Sequence, residues 1–311
     1  MLSIVITYYN GEKFIDNCID SIINSHKCSE KKIPFEIILM IDSMDDSLFI
    51  SDYLTLRYNE YINKNLFIYT NEKNLGVSKS RNLGLSISKY RYFAIIDQDD
   101  YVLQNYFSIV ESQLNDHYCV YLFNGYINYI NDAKQIPFYF IKPKFSFKSL
   151  ILKNTFIYTP GQLIFDSKYV SKNNLFIETS LKYKGCDDWA AYLNILLNTS
   201  GFKYKYIRSK VFVYCFHNLN FSNDSFEMIN SSISVLDYFN NLTILNKGFR
   251  RYILFSYKMQ NFYLLKDVYK ASFFTLFKTC PSQFIWHYLL SFIYVDRVNR
   301  LVFNVRKFFF R

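Results

Sequence analysis

The stretch Ala94-Ile95-Ile96-Asp97-Gln98-Asp99-Asp100 passes from wholly apolar to acidic within one residue. Residues Tyr92 to Ile96 combine aromatic and β-branched side chains with no charge, the composition of a buried strand. Open α/β sheets place their ligand sites at strand ends, so three carboxylates interrupted only by the Gln98 amide mark a candidate site. Acids this crowded repel one another unless a cation or a ligand donor offsets their charge. Hard oxygen ligands suit Mg2+ or Mn2+, ions that also bind substrate phosphates. The stretch therefore reads as a metal–diphosphate site; the rival reading is a helix N-terminus capped by Asp97 or Asp99.

Strand and helix patterns alternate on the N-terminal side of this stretch. Ser3 to Thr7 is an expected strand, followed by a turn with Asn-Gly chemistry at Tyr8-Tyr9-Asn10-Gly11. Phe14, Cys18, Ile19, Ile22 and Ile23 recur at helical spacing. Phe35 to Ile41 is a second buried strand ending at Asp42, and Leu66 to Tyr69 a short third one after a polar helix. The loop from Asn71 to Gly76 leads into a helix through Arg81 and Leu85. Such alternation predicts a parallel, doubly wound sheet. Farther on, Lys184-Gly185-Cys186-Asp187-Asp188-Trp189 opens a helix through Leu197, and Tyr204 to Phe216 predicts a last pair of strands. Beyond about residue 225 helical periodicity takes over.

Half of the 311 residues are hydrophobic, which excludes global disorder, and the length allows one large domain with an appendage. Six scattered cysteines without a CxxC pair read as reduced thiols, not as a disulfide framework or a zinc site. The N-terminus enters a strand directly and has no basic n-region, so no signal peptide is expected. No apolar run reaches the roughly 18 residues of a membrane span. The net charge of +10 is lopsided: residues 1–246 balance 24 basic against 24 acidic side chains, whereas residues 247–311 hold 12 against 2. Arg297, Arg300, Lys307 and Arg311 share one helical stripe, and Leu301, Val305 and Phe308 line another. That pattern predicts an amphipathic basic helix for an anionic membrane surface, the alternative being a helix packed on its own domain or a partner. No nucleic-acid motif accompanies the charge, so no nucleic-acid partner is expected. The aromatic-rich residues 225–295 suit a dimer face or the completion of a core.

Taken in order, the motifs resemble those of the family 2 glycosyltransferases, inverting enzymes with the GT-A nucleotide-sugar fold. The resemblance runs from Ser3 to about Ser222 and rests on five landmarks. The segment SIVITYYNGEKF (3–14) resembles the opening strand and its P-x-Y-N turn, with Thr7 in place of Pro. This implies a donor-binding edge at Thr7, Tyr9 and Asn10, with Tyr9 near the base, unless Tyr9 only packs at the strand end. EIILMIDS (36–43) resembles E-I-I-V-V-D-D-G-S, with Ile41 in place of the first acid. Asp42 keeps the second, implied to accept the base N3–H; alternatively it caps the next turn. NLGVSKSRNLG (74–84) is close to N-x-G-x-x-x-A-R-N-x-G. Its small residues Gly76, Ser80 and Gly84 let loop and helix approach the nucleotide beside Asn74, and the Arg81 fork is implied to face the diphosphate. A surface ion pair is the plainer role for Arg81.

The fourth landmark, DQDD (97–100), resembles D-x-D-D. By that likeness Asp97 and Gln98 lie on the ribose or base side, Asp99 with Asp97 holds the divalent metal, and Asp100 supports the cluster. The fifth, GCDDW (185–189), resembles G-E-D-W at the acceptor face: Asp188 matches the catalytic base, and Asp187 stands where Glu is usual. Trp189 either packs beneath the acceptor sugar or anchors the helix, and an acidic pair also suits a helix start. His217 sits where relatives carry Y-R-x-H, implying a reach to the metal or the diphosphate, or a structural histidine.

The resemblance implies a GT-A domain over 1–224, with a nucleotide-sugar half at about 1–104 and an acceptor half at about 105–224, and a helical, basic extension over 225–311. It implies transfer from a UDP-sugar or similar donor to a glycan or lipid-linked acceptor in cell-surface polysaccharide synthesis. The expected location is cytoplasmic, peripheral on the inner face of the membrane. Nucleotidyl transfer is disfavoured because the first loop, Tyr8-Tyr9-Asn10-Gly11, is not a Gly-rich triphosphate loop. A non-catalytic scaffold that keeps the fold is the alternative from another class.

Overall fold

The computed structural model describes residues 1–43, 47–130, 134–153, 156–177, 185–242 and 247–288. Lys184 and the expected basic helix over 297–311 lie outside the described residues. The chain clusters into two compact units, neither continuous in sequence. The first comprises Met1–Phe138, Ile157–Glu178 and Asn198–Phe216; the second comprises Tyr139–Phe156, Thr179–Leu197 and His217–Arg311.

The first unit is built on one sheet. Strands β1 (Leu2–Tyr8) and β2 (Phe35–Ile41) are buried at every position, as strands covered on both faces must be. With β3 (Leu66–Thr70) and β4 (Tyr92–Asp97) they form a parallel array in the order β3-β2-β1-β4. Helices α1 (Ile15–Cys28), α2 (Ser47–Arg57) and α3 (Val77–Ile87) supply the connections. The apolar stripe of α1 lands as the spacing predicts, with Cys18, Ile19, Ile22 and Ile23 buried.

Beyond β4 the expected parallel arrangement gives way to a mixed one. The sheet continues through β8 (Leu163–Asp166), β6 (Val120–Tyr129), β9 (Tyr204–Phe216) and β5 (Tyr101–Val102), and β7 (Lys134–Pro137) pairs with β6. Of these, β8 is antiparallel to both its neighbours, whereas β6 and β9 run parallel. Helix α4 (Tyr106–Gln113) follows β5. The pair of strands expected over Tyr204–Phe216 is one strand of 13 residues. Its polar centre, Arg208-Ser209-Lys210, coincides with register shifts against β6 at Phe123/Asn124 and Asn124/Gly125. A bulge absorbs those residues without a turn.

The second unit is helical: α5 (Phe147–Lys153), most of α6 (Asp187–Asn198), α7 (Ser225–Asn240), α8 (Lys247–Tyr263), α9 (Phe273–Thr279) and α10 (Pro281–Tyr288). Asp224 caps α7 by accepting the Glu227 N–H. Aromatic edges hold the unit together; Phe145 meets Tyr192 of α6 at 6.2 Å, and Phe147 meets Phe249 at 4.8 Å. The helical reading beyond residue 225 holds as far as the description extends.

Candidate active site

The registers of β1, β2 and β4 bring their C-terminal ends level: Thr7 is opposite both Met40 and Asp97, and Tyr8 is opposite Ile41. The residues that follow, Tyr9-Asn10, Asp42 and Gln98, therefore converge on one edge, where such sheets bind ligands. Thr7 is itself buried beneath that edge. Tyr9 stands 53% exposed above it. Gln98 locks the edge through paired hydrogen bonds: its Oε1 accepts from Tyr9 N at 2.9 Å and its Nε2 donates to Tyr9 O at 2.8 Å. The amide thereby continues the β1/β4 ladder beyond the last backbone pair. Asn10 adopts a left-handed φ of 48° and accepts from Ser43 Oγ at 3.3 Å.

Asp42 is buried and gathers the following loop around its carboxylate. Its Oδ1 accepts from Asn71 Nδ2 and Leu75 N, both at 2.8 Å, and its Oδ2 accepts from Gly76 N at 2.9 Å. Asn74 Oδ1 accepts the same Gly76 N–H at 3.1 Å. The loop shape is thus set by Asp42, and one acceptor position on Oδ2 has capacity for a further donor.

Helix α3 brings Arg81 beneath the acidic turn. Arg81 is 5% exposed, pairs with Asp97 Oδ1, and lies over the Phe176 ring at 5.0 Å. The small residues of α3 allow close contacts with neighbouring elements. A Cβ on Gly84 would stand 2.5 Å from Val5 Cγ1, and Ser80 Oγ is buried against Asn71.

The three acids have separate surroundings. Asp97 Oδ2 lies 3.3 Å from the hydroxyl of Thr159, which donates to Asp100 Oδ2 at 2.8 Å. Asp100 is wholly buried, and its Oδ1 accepts from Cys215 N at 2.9 Å. Burial, reinforced by the charges of Asp99 and Asp97, holds the Asp100 carboxyl well above the usual carboxylate range. Burial and the same three acids push the Cys18 thiol upward. Asp97 and Asp99, the latter on the turn between β4 and β5, are partly exposed, whereas Asp100 is not. Thr159 carries no family motif in the reading above. Its only sequence signal is Thr-Pro-Gly-Gln at 159–162, a cap followed by Pro, and it does cap a short 3-10 turn over Pro160–Gln162.

Asp187, Asp188 and His217 belong to the second unit. Gly185 precedes α6 at φ 115°, and a Cβ there would lie 2.7 Å from Phe221 and 2.8 Å from Met228 of the same unit. Only glycine satisfies both the backbone and the space. Cys186 N donates to Ser231 Oγ at 3.1 Å, and burial pushes the Cys186 thiol up to about 12. These contacts fix the start of α6, with Asp187 and Asp188 half-buried in its first turn. Asp188 Oδ1 accepts from Trp189 N at 2.6 Å. Trp189 is 1% exposed, the anchoring role among its two alternatives. His217 is buried in the turn before α7, where its Nδ1 accepts from Leu219 N at 3.2 Å and its carbonyl accepts from Asn223. Among the described residues no group of three His, Cys, Asp or Glu side chains forms a metal cluster.

The model of glycosyl transferase family 2 matches residues 3–173, and the chain belongs to that family. The minor teichoic acid biosynthesis protein GgaB of Bacillus subtilis is 33% identical over 115 residues, 37% of this chain and 12% of that protein. The chain spans about half or less of the length of the curated relatives it matches. Among solved structures, residues 1–349 of Staphylococcus aureus TarS in complex with UDP-GlcNAc align with TM-score 0.60 at 17% identity. That alignment covers 92% of this chain and 80% of that one. The mannosyltransferase PcManGT of Pyrobaculum calidifontis, in complex with GDP-Man and Mn2+, aligns with TM-score 0.55 at 11% identity, over 98% of this chain and 86% of that one. The fold is accordingly the GT-A arrangement of a mixed α/β sheet flanked by helices.

Proposed function

We propose that this chain moves a sugar from a nucleotide-diphosphate donor, a UDP-sugar by preference, to a glycan or lipid-linked acceptor in cell-surface polysaccharide synthesis. The observation that carries the proposal is the acidic turn at the end of β4, where Asp97, Asp99 and Asp100 crowd within four residues beside Arg81. The teichoic-acid assignment of GgaB and the UDP-GlcNAc bound by TarS support the substrate class.

Tyr9 and Asn10 frame the base, and the remaining acceptor position of Asp42 Oδ2 takes the uracil N3–H. Asn74, Gly76 and Gln98 hold the surrounding backbone in place. The donor set fits a divalent cation, since it offers hard oxygens, and burial together with the charges of Asp99 and Asp97 holds the Asp100 carboxyl above its ordinary range. Asp99 would be the principal ligand of Mn2+ or Mg2+, with Asp97 behind it. When bound, such a cation offsets the charge that develops on the leaving diphosphate. Arg81 adds donors for phosphate oxygens, and His217 is the residue proposed to reach the metal or the diphosphate. Asp188 takes the proton from the acceptor hydroxyl with Asp187 beside it, the acceptor oxygen bonds to the anomeric carbon, and the bond to the β-phosphate oxygen breaks. A single displacement inverts the anomeric configuration.

Residues 1–224 form the catalytic domain in this reading. Residues 225–311 form a basic extension that meets the cytoplasmic face of the membrane. Among the described residues no helix is long and apolar enough to cross a membrane. Asp188→Asn tests the mechanism: the variant should bind the donor nucleotide normally in calorimetry yet lose nearly all transfer. Normal turnover in the folded variant would remove Asp188 as the base.

A further inference from the structure

Sugar transfer leaves one feature of the second unit unused, an aromatic and cationic face on α9. One side of this helix presents Leu276 to a core shared with Met259, Phe262 and Phe284. The other side is apolar and open to solvent: Phe274 is 81% exposed, Phe273 60% and Phe277 50%. Phe273 and Phe277 stand edge-on to Phe284 at 4.6 and 5.5 Å, so the core sets their positions. The exposed Lys270 and Lys278 flank the cluster. Contiguous exposed apolar patches mark interaction sites more often than chance surface.

Charge selects the occupant. Residues 247–288 carry seven Lys or Arg against the single acid Asp267, which Lys266 already pairs at 2.8 Å. A second copy docking through the same face would bring the same positive charge to it. Residues 289–311, with five Lys or Arg against Asp296, would do likewise. A surface both anionic and apolar at depth complements both features.

We propose that α9 docks on an anionic bilayer, with Phe273, Phe274 and Phe277 at the headgroup–acyl boundary and Lys270 and Lys278 at lipid phosphates. This surface is distinct from residues 297–311 and independent of the sugar-transfer reading.

The test is co-sedimentation of the full chain with phosphatidylglycerol–phosphatidylcholine vesicles and with phosphatidylcholine vesicles alone. The chain should bind only the anionic vesicles, and added salt should release it. Phe274→Glu should weaken binding about tenfold, and Phe274→Trp should keep it. The circular dichroism of both variants should match the parent. Equal binding by Phe274→Glu would move the attachment to another segment, such as 297–311, and overturn the proposal. Indifference of the parent chain to anionic vesicles would overturn it too. So would light scattering that finds a dimer dissociated by Phe274→Glu, since the face would then join two copies.

Discussion

Thr159 is a small residue that bears on two carboxylates at once. Its hydroxyl donates to Asp100 at 2.8 Å, lies 3.3 Å from Asp97, and is buried. Thr159→Val keeps the shape but leaves buried acceptors without their donor, a loss of about 1–3 kcal/mol. Thr159→Ser keeps the donor and should recover most of that loss. Urea unfolding of the two variants checks this, and equal stabilities would show that the hydroxyl contributes nothing. Little of this arrangement is legible in the sequence. Asp97, Asp99 and Asp100 are conspicuous because an apolar run ends in them. The donors that hold Asp100, Thr159 and Cys215 N, come from 59 and 115 residues away. A hydroxyl and a backbone N–H give no local signal. The Asp42 carboxylate shows a similar limit: its strand-end position is readable, whereas its grip on Leu75 and Gly76 depends on where the loop returns.

Helix α3 shows how an element can be legible in the sequence while the packing of its small residues is not. The helix lies where the pattern puts it, and Gly84 lies in close contact with Val5 of β1 and Met40 of β2. The two effects of Gly84→Ala oppose each other. Alanine favours a helix by about 0.8–1 kcal/mol. The new Cβ, 2.5 Å from Val5 Cγ1 and 3.1 Å from Met40 Cγ, overpacks the interface at a cost of about 1–3 kcal/mol. Val5 is β-branched and cannot turn away freely, so overpacking should win and the unfolding midpoint should fall. A rise would mean that α3 and β1 have room to part. Strand β9 carries the same lesson, because its polar centre resembles a turn in sequence and the bulge against β6 becomes visible only once the partner strand is placed.

Taken as a whole, the chain concentrates its readable order in β1 to β4, where every connection is local and hydrophobic pattern, turn chemistry and topology agree. The second unit draws on three separated segments, and no periodicity in one announces the others. The central claim is nucleotide-sugar chemistry at the acidic turn of β4, and hydrolysis of UDP-, dTDP- and GDP-sugars by the parent chain and by Asp99→Ala tests it most directly. The account predicts slow release of one nucleotide that requires Mn2+ or Mg2+ and disappears in Asp99→Ala. Unchanged release in Asp99→Ala, or a chain that neither hydrolyses these sugars nor binds their free nucleotides in calorimetry, would contradict it.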